Sequence, residues 1–327
     1  RSLSRVRAVN PGFDPENVVA FSINLPAAAY ADADRIKVTE QQIVQRLRQI
    51  PGVISASATS NLPMQGSWLI TFTPEGVPPS QVPVATNALV LPGFFEAMRM
   101  PLRAGRFFTE RDTKDTPGVV VINETMARRY YGNASPVGRK FKWGPPDSPV
   151  PLKEIVGVVA DAKQGTLDED PSSSVYHAVL QQDTGLMMTM YRGLSYVVRT
   201  RAASPSFPAA IRSAVRGVDP KLIVLNMRPM DGIVGDTIAG RKFNATLIGL
   251  FAALALALAA TGVYGVLQYS VIQRKREMGI RIAVGASSTD MIRLIVGQAV
   301  GLAAIGVAIG LAGAFGLTRV IRALLFN

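Results

Sequence analysis

The side chains able to do chemistry are few and scattered. His177 is the only histidine among 327 residues, and there is no cysteine. One imidazole without thiolates excludes most zinc and copper sites, which draw on several His and Cys ligands. A Ser–His–Asp relay has no support either, because no serine sits in a nucleophile-elbow pattern. Asp168-Glu169-Asp170 offer carboxylate oxygens of the kind a hard cation takes, but with Pro171 behind them they read as a solvated turn. The stretch Gly132-Asn133-Ala134-Ser135-Pro136-Val137-Gly138-Arg139-Lys140 has the composition of a phosphate loop without its spacing. A P-loop needs G-x-x-x-x-G-K-[ST] so that successive N–H groups cradle phosphate. Here a proline interrupts the run and Phe141 follows the lysine. No catalytic residue, metal or cofactor is expected, and the chain reads as no enzyme.

The surroundings of these residues divide the chain in two. Residues 1–240 carry 26 Lys and Arg against 21 Asp and Glu, whereas residues 241–327 carry 9 against 2. The most basic part is therefore also the most apolar part. That pairing suits membrane helices with basic cytoplasmic flanks. A nucleic-acid footprint requires basic side chains clustered on a soluble face, and no such cluster is seen, so no nucleic acid is expected as a partner. No charged residue lies between Lys242 and Arg274, or between Arg293 and Arg319. About 20 apolar residues cross a bilayer core, so spans are expected over about 245–272 and 292–317. The link between them, 273–290, is short and basic, with Arg274, Lys275, Arg276 and Arg281 against Glu277. The positive-inside rule places it in the cytoplasm and residues 1–240 outside. No apolar signal region stands near Arg1, so an export signal is expected upstream of it. Gly297 and Gly301, then Gly306 and Gly310, are small residues four apart that let another helix approach closely.

The outer part reads as α+β. Val18 to Leu25 is a strand, Asp34 to Ile50 a helix stopped by Pro51-Gly52, and Val53 to Ser60 a strand. The pattern returns as a strand at Ser195 to Thr200, a helix at Ser206 to Val218 and a strand at Leu222 to Met227. Two such units commonly pair into a ferredoxin-like layer. The halves would be about 10–62 and 195–232, with a β-rich insertion over about 63–191 that holds strands at 119–122, 141–143 and 154–159 and a helix at 123–131.

The link reads Gln273-Arg274-Lys275-Arg276-Glu277-Met278-Gly279-Ile280-Arg281-Ile282-Ala283-Val284-Gly285-Ala286. It closely resembles the R-x-R-E-[IM]-G-I-R-x-A-[LV]-G-A signature of FtsX-like permeases, the MacB/LolC/FtsX superfamily of ABC transporter membrane subunits. Three further stretches resemble the MacB-type periplasmic core domain. They are Asn10-Pro11-Gly12-Phe13-Asp14-Pro15-Glu16-Asn17-Val18, then Val119 through Glu124 and Ala127-Arg128-Arg129-Tyr130-Tyr131 to Gly138, and Ile155-Val156-Gly157-Val158-Val159-Ala160-Asp161. Together they are similar to the duplicated orphan permeases of soil bacteria.

The resemblance implies a bacterial inner-membrane protein with four spans per unit and the large domain between the first two. Arg1 would then follow a first span, and a fourth would come after Asn327. It implies a porter-like part, a small inserted subdomain of the kind called Sabre, and a second permease unit as dimer or tandem half. It implies ATP hydrolysis in a cytoplasmic ABC ATPase partner, with Arg274, Lys275, Arg276, Glu277, Met278, Gly279, Ile280 and Arg281 as the coupling loop and motion transmitted outward for export. The competing reading is a membrane-anchored binding or sensing module, in which the basic loop only fixes topology and meets anionic lipid. Neither reading names a substrate.

Overall fold

A computed structural model describes residues 10–75, 83–182 and 192–273, together with scattered helical positions between 275 and 313. The chain divides into two compact units, Arg1–Lys242 and Phe243–Asn327.

The first unit opens with β1 (Val18–Asn24), α1 (Ala33–Arg48) and β2 (Val53–Thr59). Asp32 caps α1 by accepting the Arg35 N–H, a bond worth about 1 kcal/mol. Ile36, Ile43, Val44 and Leu47 recur at helical spacing and are buried. The unit closes with β10 (Gly193–Thr200), α4 (Phe207–Arg216) and β11 (Val224–Pro229). The four strands lie in the order β11-β1-β10-β2, and each pairing is antiparallel. A core cluster that includes Phe21, Tyr196, Leu47, Ile211 and Val215 joins this layer to α1 and α4.

Between these halves come β3 (Trp68–Pro74), β4 (Val84–Val90), the short α2 (Phe94–Ala97), β5 (Leu102–Gly105), β6 (Val119–Asn123), α3 (Glu124–Tyr131), β7 (Lys140–Trp143), β8 (Lys153–Val159) and β9 (Ser174–Ala178). Their pairings close on themselves. β4 pairs β3, β3 pairs β7, β7 pairs β8, β8 pairs β6, β6 pairs β9, and β9 returns to β4 in parallel. Closure removes the exposed edges that an open sheet of short strands would leave. The ring has its own apolar filling, with Phe72, Phe141, Ile122, Ile155 and Val175. A third cluster holds Val18, Ala20 and Val197 of the layer, Val121, Val159 and Tyr176 of the ring, and Phe94, Phe95 and Met98 around α2. Layer and ring thus share one interior, centred on Phe95, which is in ring contact with Phe94, Phe107 and Tyr176.

The last element, α5 (Met230–Gln273), is 44 residues long. It begins with Met230 and Ile233 buried in the shared interior. Its later part, Thr246–Gln273, has a mean hydropathy of 2.2 and is the one helix among the described residues long and apolar enough to cross a membrane. None of that stretch is buried within the protein, so Leu250, Phe251, Leu254 and Leu258 present an apolar surface on all sides. A helix of that character is stable in hydrocarbon, where its backbone bonds are satisfied internally.

Candidate functional site

The basic link begins where α5 ends. Lys275, Arg276 and Ile280 are helical. Arg274, Glu277, Met278, Gly279 and Arg281 lie outside the described residues. Just before them, Gln273 donates to the Tyr269 hydroxyl at 2.8 Å, and both Tyr264 and Tyr269 are exposed. Gly297, Gly301, Gly306 and Gly310 are helical too, and among the described residues a Cβ added at any of them would meet nothing within 4 Å.

In the first unit, the structure brings together the three stretches that the sequence singled out, the first of them about a hundred residues before the other two. Asp161, just after β8, is the meeting point. Its carboxylate accepts from the Thr125 N–H and hydroxyl, both at 2.8 Å, and from Arg128 at 2.9 Å. Its carbonyl faces Gly12 so closely that a Cβ there would sit 1.8 Å away, and Gly12 has φ +88°. Only glycine fits that position. The next contact, from the Lys163 N–H to the Pro11 carbonyl at 2.9 Å, completes the seam. Sequence reading recognised these residues without seeing that they meet. The available signal was the Pro-Gly pair at 11–12, which marks a backbone turn.

Three buried ionisable side chains were also missed or set aside. Glu40 on α1 is fully buried, accepts from the Tyr196 hydroxyl, and has its second oxygen unpaired among the described residues. Burial raises its pKa well above the ordinary carboxylate range. His177 on β9 is fully buried in the ring, against Trp143 at 4.9 Å and Phe141 at 5.9 Å. Neither of its nitrogens has a hydrogen-bond partner among the described residues. Burial, helped by the Lys153 charge, pushes its pKa well below the ordinary value. Lys153 on β8 is itself buried with its ammonium unpaired among the described residues, and burial brings its pKa down to about 8. None of the three is joined, among the described residues, to a nucleophile or a ligand set. Among the described residues no group of three or more His, Asp or Glu side chains is placed to hold a metal.

Residues 4–218 match the model of the MacB-like periplasmic core domain, and residues 249–327 match the FtsX-like permease C-terminal domain. The chain belongs to the MacB-like family of FtsX-type permeases. The pyoverdine export ATP-binding/permease protein PvdT of Pseudomonas aeruginosa is 27% identical over 227 residues, which is 67% of this chain and 32% of that protein. The macrolide export ATP-binding/permease protein MacB of Wolinella succinogenes is 25% identical over 235 residues, 71% of this chain and 35% of that protein. The chain spans about a third of the length of the curated relatives it matches. Among solved structures, the periplasmic region of MacB from Actinobacillus actinomycetemcomitans aligns with 73% of this chain and 98% of its own, at 15% identity and a TM-score of 0.43. The extracellular domain of the noncanonical ABC-type transporter YknZ covers 64% of this chain at a TM-score of 0.40.

Proposed function

We propose that this chain is the membrane permease part of an ABC-type export system, passing motion from a cytoplasmic ATPase to an extracytoplasmic domain. The observation that carries the reading is the order of parts: a MacB-like periplasmic core domain followed on one chain by an FtsX-like permease domain. ATP hydrolysis then belongs to a partner, and the chain supplies coupling in place of chemistry. Residues 1–240 lie outside the bacterial inner membrane and residues 241–327 form the permease portion, with spans over 245–272 and 292–317 and the link 273–290 in the cytoplasm. The order β11-β1-β10-β2, with α1 and α4 packed on it, supports reading this layer as a ferredoxin-like porter part, with the strand ring as the inserted Sabre-like subdomain.

In this reading, Arg274, Lys275, Arg276, Glu277 and Arg281 meet acidic and backbone groups of the ATPase, while Gly279 lets the backbone turn. Met278 and Ile280 supply the apolar part of the contact. Gly297, Gly301, Gly306 and Gly310 form the face on which another helix packs, from the same permease or a second unit. Export of pyoverdine or of a macrolide belongs to the names of the relatives.

The test is co-purification of the full-length protein with ABC ATPases of its own cell, native against Glu277→Lys/Arg281→Glu. An ATPase retained by the native protein and lost from the charge-reversed one is the expected result. Retention by neither form would overturn the ATP-driven reading and favour an anchored sensing module.

A further inference from the structure

Residues 10–17 run from the seam at Asp161 to the start of β1, and they are held in an unusual way. Phe13 is their one buried side chain. The remaining attachment is polar and converges on Arg199 at the end of β10, whose side chain is only 3% exposed. Its Nε donates to the Ala97 carbonyl at 2.6 Å, and its Nη2 to the Asp14 carbonyl at 2.6 Å. Its Nη1 donates to the Glu16 carbonyl at 2.9 Å and to the Asp14 carboxylate at 3.2 Å. One guanidinium thus ties the segment before β1, the strand β10 and the end of α2. The planar fork of arginine suits such a hub, and lysine could not reproduce it.

A second arginine holds the same carboxylate from the solvent side. Arg99 donates to Asp14 at 2.8 Å. Its backbone stands at φ +50°, and that of Asn17 at +55°. The left-handed region is costly for a residue with a long side chain, less so for asparagine. The Arg99 conformation is thus maintained against its own preference, and its ion pair with Asp14 is one of the contacts that maintain it. Burial works to raise the pKa of Asp14, but the Glu16 N–H and the two guanidinium groups outweigh it, and the carboxyl is held below its ordinary value. An open groove of about 400 Å³ runs along this segment, lined by Phe13, Asp14, Glu16 and Arg99, so solvent and solutes reach the ion pair.

We propose that residues 10–17 are a latched strap: Arg199 and Arg99 together hold Asp14, and letting that carboxylate go lifts the strap from its seats as one piece. Those seats are the Met98 carbonyl, which accepts from the Asp14 N–H at 3.0 Å, and the Lys163 N–H, which donates to Pro11 at 2.9 Å. At the far end the Thr200 N–H donates to Asn17 at 2.8 Å. The latched strap links β10, α2 and the segment after β8. The released strap leaves layer and ring joined by their apolar interior, by the β2–β4 pairing with the flanking Ser60 N–H to Leu89 and Leu91 N–H to Ala58 bonds, and by contacts of α1 such as Asp34 with Lys114. The device is a property of the first unit and stands whether or not an ATPase drives the protein.

Hydrogen exchange of the full-length protein in lipid nanodiscs tests it, with the amides of Asp14, Lys163 and Thr200 as reporters. Asp14→Asn keeps the shape and removes the charge, and is expected to speed all three amides about tenfold. Arg199→Met is expected to speed them about 100-fold, as sub-global opening does. Amides within β6, β8 and the centre of β1 should stay within about twofold of native in both variants. Unchanged reporters in both variants would show that Phe13 alone seats the strap. A uniform rise across the whole unit in Asp14→Asn would show that Asp14 belongs to the general fold. Either result overturns the latch.

Discussion

The four-stranded layer and the closed ring bury ionisable groups in opposite ways, and the contrast shows how each is poised toward pH. In the layer, Glu40 has one good partner, the Tyr196 hydroxyl, and burial raises its pKa well above the ordinary carboxylate range. Its folded-state pKa is raised, so its contribution is complete at low pH and fades as pH rises through the raised value. In the ring, His177 and Lys153 have no hydrogen-bond partners among the described residues, and their pKa values are lowered. A lowered base works the other way. The contribution of His177 is complete above its ordinary value of 6.5 and is lost as pH falls below it. Glu40 therefore weakens the layer toward alkali, and His177 and Lys153 weaken the ring toward acid, while the shared interior ties the two regions together.

The largest expected effect comes from cutting that tie. Phe95→Ala removes an aromatic side chain from the interior common to both regions, at a cost of about 3–5 kcal/mol. Chemical denaturation followed by hydrogen exchange should show both regions losing protection together. Loss confined to one region would mean that the interior does not couple them.

Next in size is Tyr196→Phe. The stack with Phe21, at 5.2 Å between ring centres, survives, but Glu40 loses its hydrogen bond. An unsatisfied buried polar group costs about 1–3 kcal/mol, and the loss should be felt first in the layer. Adding Glu40→Leu should recover most of it, because removing both partners is far milder than orphaning one.

His177→Phe tests the ring. The native ring should lose exchange protection progressively below about pH 6.5, where the unfolded imidazole takes up a proton. The variant should hold its protection to lower pH. Equal acid sensitivity in the two proteins would assign the effect to other groups. The smallest effect belongs to Lys140→Ala, which removes the pair with Glu154 at 3.3 Å. Both side chains are more than 40% exposed. Surface pairs of this kind contribute between about 0 and 1 kcal/mol, so the midpoint of ring unfolding should barely move.

The two regions were also unequally legible. In the layer, α1 shows Ile36, Ile43, Val44 and Leu47 at helical spacing, and Pro51-Gly52 ends the run, so strand–helix–strand could be read at both ends of the domain. In the ring, every residue of β6 and β9 is buried. The apolar–polar alternation that marks a half-buried strand is therefore missing from both, and of the two only β6 was read, from the apolar run Val119 to Ile122. The short β7 was found from Phe141 and Trp143, but β3, β4 and β9 were not. Closure depends on the parallel β4–β9 pairing, which joins Thr86 to Ser174, and no local pattern reports a contact of that span. The seam at Asp161 was hidden for the same reason. Its members were recognised one stretch at a time, and only folding places Gly12 against the Asp161 carbonyl. The apolar runs were the plainest signal of all, since a helix lacking charge on every face has few places to be.

The central claim is that ATP turnover in the cytoplasm moves the outer domain. Leu69→Cys, at an exposed position on β3, introduces the one cysteine into these 327 residues, and with any cysteine elsewhere in the full-length protein replaced by serine it takes a donor dye at a single site. The protein, reconstituted with its ATPase in vesicles carrying an acceptor lipid, reports energy transfer between the domain and the membrane surface. Transfer should change when ATP is added and return when ATP is exhausted, and Glu277→Lys/Arg281→Glu should abolish the change. Constant transfer during measured ATP hydrolysis by the native complex would contradict the claim.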